Sequence, residues 1–159
     1  MQAKIFKRLR FIGLLLCILI VIFSIRYFLI DWVHVEGNSM SPTLSDGQIV
    51  FVEKISKVTS SINRGDLVLI VFPDGIQYTK RVIAIGGDII SLSNNTLRVN
   101  WEAVEEPYLS EPRFNNIEPL TIPEDHVFVM GDNRDISLDS RDYRVGSIHK
   151  NNIIGKILH

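Results

Sequence analysis

From Phe11 to Ile30 the chain is apolar except at Ser24 and Arg26, with Gly13 and Tyr27 as mild interruptions. A run of roughly 20 such residues has the length of a bilayer-spanning helix, and nothing else in the sequence restricts the fold as sharply. The charge-free core is Phe11 to Ile25, so Arg26 is expected at an interface, its stem in the apolar layer and its guanidinium in water. Lys4, Lys7, Arg8 and Arg10 precede the run. The positive-inside rule then predicts a cytoplasmic basic tail over 1–10, a transmembrane anchor over 11–30 and an extracytoplasmic domain over 31–159. A cleaved leader has the same basic-then-apolar pattern. The exit here, Arg26-Tyr27-Phe28-Leu29-Ile30-Asp31-Trp32, offers no small-x-small cleavage site, which favours a retained anchor.

Charge is distributed unevenly about that segment. The first 30 residues carry five Lys/Arg and no acid, whereas the remainder carries twelve Lys/Arg against eighteen Asp/Glu. An acidic external domain argues against nucleic acid as a partner. The single cysteine, Cys17, lies inside the anchor, so no intrachain disulfide can form and the domain must hold by its core alone.

Beyond the anchor the pattern is of short runs rich in β-branched and aromatic residues. They are Ile49–Val52, Leu67–Phe72, Tyr78–Ile85 and Val127–Met130, each bounded by Gly, Pro, Asn or Asp. Ile89–Ser93 and Thr96–Val99 flank Asn94-Asn95, the composition of a two-residue hairpin turn. No long 3.6-residue periodicity appears outside the anchor. A mainly β domain is expected. Asn100–Asp125 is polar, holds Pro107, Pro112, Pro119 and Pro123, and reads as an irregular excursion forming part of a small second lobe.

Three segments hold residue types that do chemistry. The first is Gly37-Asn38-Ser39-Met40-Ser41-Pro42-Thr43-Leu44, a loop just past the membrane exit. Alone it reads as a polar turn, and it is no Gly-x-Ser-x-Gly elbow because position 41 is serine. The second is Tyr78-Thr79-Lys80-Arg81-Val82-Ile83, where strand alternation puts Tyr78, Lys80 and Val82 on one face. Lys80 is either an exposed edge lysine or a lysine in an apolar place, where burial lowers its pKa and makes it a usable base. The third is Gly131-Asp132-Asn133-Arg134-Asp135-Ile136-Ser137-Leu138-Asp139-Ser140-Arg141. Its acids lack the spacing of an EF-hand calcium loop, and paired Asp and Arg in a polar loop is the plain reading. His34, His126, His149 and His159 show no metal-like spacing.

In order, these segments form a specific set: an anchor, Gly-x-Ser-Met-x-Pro-Thr-Leu, Arg64-Gly65-Asp66-Leu67-Val68, Tyr-x-Lys-Arg-Val with Gly86-Gly87-Asp88, and Gly-Asp-Asn-Arg with Ser-x-Asp-Ser-Arg. The set resembles type I signal peptidase, the Ser-Lys leader peptidase family, over residues 9 to 158. One anchor, the short chain and Glu105-Glu106-Pro107-Tyr108-Leu109 resemble its Gram-positive form. The resemblance implies a signal-peptidase-like, β-rich catalytic domain with a small second lobe, behind one N-terminal transmembrane helix. It implies a membrane-bound serine endopeptidase that removes signal peptides from exported preproteins after small residues, through an acyl-enzyme. Ser39 matches the nucleophile and Lys80 the general base. Ser137 matches the hydroxyl that orients the lysine ammonium. Asp139 and Arg141 match a supporting salt-bridged pair, and Asp132 and Arg81 match further supporting positions. The Ser39 N–H would form part of an oxyanion hole.

Two departures from the family pattern stand out. Gly37 occupies the place where some members carry a serine whose hydroxyl joins that hole. The link Asp142-Tyr143-Arg144-Val145-Gly146 is longer than usual. The expected cleft walls are Val33, Val35, Met40, Leu44, Val50, Tyr78 and Thr79, with the substrate extended beside a strand and Trp32 and Val33 near the membrane interface. No metal and no cofactor is expected. The expected partners are signal peptides of secreted preproteins, membrane lipid and the protein-export machinery. A self-cleaving repressor of the same Ser-Lys group fits less well, given the anchor and the lack of a DNA-binding segment. A non-catalytic, membrane-anchored domain that binds signal peptides is the alternative of another class.

Overall fold

A computed structural model of the chain describes residues 2–59, 61–109 and 116–158. It begins with helix α1, Gln2–Phe28. Within it Lys7–Ile25 is long and apolar enough to cross a membrane, and none of that stretch is covered by the rest of the chain. At 1.5 Å per residue it spans about 28 Å, close to the thickness of a hydrocarbon core. Leu9, Phe11, Leu14, Leu16, Ile18, Ile20 and Phe23 are all exposed, so the helix is apolar all round, as a span in lipid is. The side chain of Arg26, expected to reach an interface, lies outside the described part of the structure.

The remaining elements are mostly short strands: β1 Ile30–His34, β2 Ile49–Glu53, β3 Leu67–Val71, β4 Gln77–Ile85, β5 Ile89–Ser93, β6 Thr96–Val99, β7 Glu102–Ala103, β8 Ile117–Thr121, β9 His126–Met130, β10 Ile148–His149 and β11 Ile153–Leu158. A five-residue helix α2, Ile55–Thr59, follows β2. Seven strands form the large sheet in the order β1-β2-β11-β3-β4-β9-β10, and four form a small sheet in the order β7-β6-β5-β8. The fold is mainly β, as expected.

β3 explains how the core is arranged. Four of its five residues are buried. Val68 and Ile70 join one apolar cluster with Val82, Val127 and Val129. Leu67 and Leu69 join another with Val35, Met40, Leu44 and Val52. A strand covered on both faces reads as a continuous apolar run, as Leu67–Val71 does. A third cluster joins the sheets, setting Ile83, Phe128 and Met130 against Ile90, Leu92, Leu97 and Ile122.

The β5–β6 hairpin turns at Asn94-Asn95, both at positive φ (49° and 60°), as such a two-residue turn demands. The excursion from Asn100 to Asp125 is more regular than its composition suggests. It supplies β7 and β8 to the two edges of the small sheet, where Pro119 is tolerated because an edge strand needs fewer N–H donors. Residues 110–115 of that stretch, including Pro112, lie outside the described residues.

Three further strands escape the sequence reading, the two-residue β10 among them. β1 starts at Ile30, a single residue after α1 ends, inside the apolar run assigned to the anchor. β11 lies between β2 and β3 near the middle of the large sheet.

Candidate active site

The site forms where the loop after β1 crosses β4. β4 pairs with β3 from Gln77 to Arg81, placing Lys80 opposite Val68. On its other side β4 pairs with β9 only from Arg81 onward. Tyr78 and Thr79 therefore keep an open edge next to Lys80. Lys80 stands on the same strand face as Tyr78 and Val82, as alternation requires, and is 1 % exposed. Its Nζ lies 2.9 Å from Ser39 Oγ and 5.6 Å from the centre of the Tyr78 ring. Burial among apolar side chains lowers its pKa from 10.5 to about 8. The Arg141 guanidinium acts in the same direction, and the Asp139 and Asp132 carboxylates oppose it.

Ser39 is held from behind by the third segment. Its carbonyl accepts the Asn133 N–H at 3.0 Å. Gly131 lies so close that a Cβ there would fall 2.5 Å from the Ser39 carbonyl oxygen and 2.2 Å from Ser137 Oγ. Only glycine lets the loops approach this closely. Ser137 is thus beside the site. Its hydroxyl faces the Leu138 carbonyl at 3.5 Å.

The four charged residues named from the sequence form two pairs. Asp139 is buried and meets Arg141 Nε at 2.8 Å and Nη2 at 3.0 Å, while its Oδ2 accepts the Gly131 N–H at 3.0 Å. Asp132 meets Arg81 Nε at 2.8 Å and Nη2 at 2.6 Å, and also accepts the Thr43 hydroxyl. Arg81 also donates to the Gly65 carbonyl. Both ends of the nucleophile loop are thereby tied to the Gly131–Arg141 segment. The longer link at Asp142–Gly146 closes on itself, with Val145 and Gly146 both donating to the Asp142 carbonyl.

A cleft of about 260 Å³ opens in front of Ser39, between the end of β1 and the start of β4. Of the residues named as walls from the sequence, Val33, Val35, Tyr78 and Thr79 line it, together with His34, Glu36, Leu69 and Gln77, which the sequence did not single out. Met40, Leu44 and Val50 do not line it. All three are buried in the apolar cluster beneath, because alternation turns Val50 inward and the loop around Ser39 folds its apolar residues under itself. Among the described residues no three His, Cys, Asp or Glu side chains converge as a metal-binding set. Sequence reasoning also gave no role to Glu106 and Tyr108. Tyr108 lies under the Arg81 guanidinium, 3.9 Å from ring centre to Cζ, and Glu106 is ion-paired with the buried Arg134.

A serine hydroxyl on a buried amine of lowered pKa, beside an open strand edge, has the chemistry to act as an activated nucleophile on an extended peptide. The family described as "Signal peptidase, peptidase S26" matches residues 8–159. Signal peptidase I of Bacillus licheniformis is 41% identical over 145 residues, covering 82% of this chain and 76% of that protein. Signal peptidase I T of Bacillus subtilis strain 168 is 38% identical over 142 residues, covering 82% and 73%. The crystal structure of a signal peptidase I from Enterococcus faecalis V583 superposes with a TM-score of 0.56 at 27% identity, covering 62% of this chain and 97% of that one.

Proposed function

This chain belongs to the signal peptidase family, peptidase S26, and is a membrane-anchored enzyme that removes signal peptides from preproteins; we propose that it does so with Ser39 as nucleophile and Lys80 as general base. The observation that carries the assignment is the 2.9 Å contact between Ser39 Oγ and the buried Lys80 Nζ. With a pKa of about 8, roughly a tenth of Lys80 is neutral at pH 7, against on the order of 0.03% for a lysine in water. Neutral Lys80 takes the Ser39 proton as Oγ attacks the scissile carbonyl, and returns it to the leaving amine. The acyl-enzyme is then hydrolysed by a water that Lys80 deprotonates in the same way. The Ser39 N–H, which makes no hydrogen bond among the described residues, is one oxyanion donor.

The supporting pairs Asp139–Arg141 and Asp132–Arg81 hold the loops on which the dyad depends, and Ser137 is the hydroxyl nearest the Gly131 contact. The substrate lies extended between the edges of β1 and β4. Val33, Val35, Tyr78 and Thr79 leave room for small side chains on alternate residues, in an Ala-x-Ala-like pattern. Residues 1–10 are assigned to the cytoplasmic side, 11–30 to a single span and 31–159 to the outer side. The protein-export machinery delivers substrates there. Exposed Trp32, Phe51 and Leu158 are paired in register across β1, β2 and β11, which supports lipid contact beside the anchor.

The test is cleavage of a purified preprotein by the full chain and by Ser39→Ala and Lys80→Ala. Each variant is expected to lose at least a thousandfold in kcat while keeping its β-type circular dichroism. For the unaltered enzyme kcat/KM should rise tenfold per pH step below about 8 and then level off. A folded Lys80→Ala variant with near-normal activity, or a pH-independent rate, would remove the dyad.

A further inference from the structure

Between the small sheet and the candidate dyad runs Glu105–Leu109, a segment with no helix or strand of its own. One of its side chains reaches β4 of the large sheet and another the loop after β9. The Tyr108 ring stacks under Arg81, and its hydroxyl donates to Glu106 Oε1 at 2.7 Å. Burial, and then the Glu106 carboxylate, raise the Tyr108 pKa, so the phenol stays a donor. The Glu106 carboxylate accepts both terminal nitrogens of Arg134. The side chains of that pair are 1% and 7% exposed, and a carboxylate that deeply buried is held only with its partner in place. Arg134 Nε in turn donates to the Gly131 carbonyl at 2.9 Å, and the Arg134 carbonyl accepts Arg141 Nη2 at 2.8 Å.

Each arginine that the strap holds adjoins one half of the dyad. Arg81 follows Lys80 on β4 and locks Asp132, which also accepts from Thr43 of the Ser39 loop. Arg134 fixes Gly131, against which the Ser39 carbonyl rests. Resting on the assignment of Ser39 and Lys80, we propose that Glu106 and Tyr108 are positioning residues that set the approach of Ser39 to Lys80 by clamping Arg134 and Arg81 from the small-sheet side. Neither touches the reacting atoms.

The position of the strap also predicts a sign. The charged groups acting on Lys80 are Asp139, Asp132 and Arg141, besides the adjacent Arg81. With its stack removed, Arg81 neutralises Asp132 less completely, and the freed carboxylate favours the lysine ammonium. The pH at which activity rises then moves upward.

The experiment uses the full chain in detergent with a purified preprotein, comparing Tyr108→Leu, Tyr108→Phe and Glu106→Gln at temperatures well below each thermal midpoint. Tyr108→Leu is expected to lose at least tenfold in kcat with KM within twofold, and to shift the rising limb alkaline. Tyr108→Phe, which keeps the stack, should recover most of the rate and return the limb. Glu106→Gln should lower kcat without changing KM. Unchanged kcat and pH profile in folded Tyr108→Leu overturns the proposal. So does a loss that Phe fails to rescue, or one that appears in KM alone. Ser39→Ala and Lys80→Ala, run in parallel, separate that failure from failure of the dyad itself: if they remain active, the dyad is wrong whatever the strap variants do.

Discussion

Lys80 is a long amine sunk beside Val68 and Val82, where a charge is costly. Its folded pKa lies below its unfolded value, so between about 8 and 10.5 the unfolded chain binds more protons and stability rises with pH. Below about 8 the full penalty remains, about 3 kcal/mol from the difference between the two values. Lys80→Met is therefore expected to be inactive yet more stable than the unaltered protein at pH 7, by up to about 3 kcal/mol. The gain should shrink toward zero near pH 10.5, as read by thermal melts across pH. A variant less stable at pH 7, or a gain that does not vary with pH, would contradict the burial argument. Lys80 and Ser39 are legible in sequence only through the ordered segments around them, since each alone reads as ordinary surface chemistry. Their partners across the fold are not. That Met40 and Leu44 turn inward while Val33 and Val35 face the cleft depends on how a loop folds under itself, which no local period encodes.

At the level of elements, the runs that alternate or stay apolar between turn residues are strands where expected, and the Asn94-Asn95 hairpin has its expected register, Ser93 opposite Thr96. β11 is the instructive miss. Ile153-Ile154-Gly155-Lys156-Ile157-Leu158 carries a glycine that weakens any local strand signal, and pairing on both sides makes it a strand. The glycine is required by that pairing. A Cβ at position 155 would lie 2.3 Å from the Glu53 carbonyl oxygen and 2.7 Å from Val52 Cγ1. Gly155→Val is expected to cost about 1–3 kcal/mol or more in chemical unfolding, because neither the backbone nor Val52 can retreat within a packed sheet. A neutral substitution would mean that β11 pairs less closely than described. The edges of the small sheet are legible only as a polar, proline-rich excursion, since β7 and β8 bury little.

On the scale of the whole molecule, the basic tail, apolar helix and acidic domain follow one another as the charge pattern requires. The exposed row Trp32, Phe51 and Leu158 lies on the large sheet, and Trp32 follows the end of α1 by four residues. The two tryptophans permit a direct measurement. With Trp101, on the small sheet, changed to Phe, the emission of Trp32 should be strongly quenched by brominated lipid in reconstituted vesicles. With Trp32 changed to Phe, the emission of Trp101 should not be. Equal quenching of both, or none of Trp32, would place the large sheet away from the bilayer. Leu29 alone separates α1 from β1, and its carbonyl is pinned by the Lys54 N–H at 2.9 Å. From that residue to Val35, at the wall of the cleft, is about 20 Å of extended chain. On the proposed placement of the anchor and of the dyad, so short a joint makes the enzyme a ruler. Small side chains at a candidate cleavage point are not sufficient; the point must also stand at a fixed height above the end of the substrate's own membrane segment.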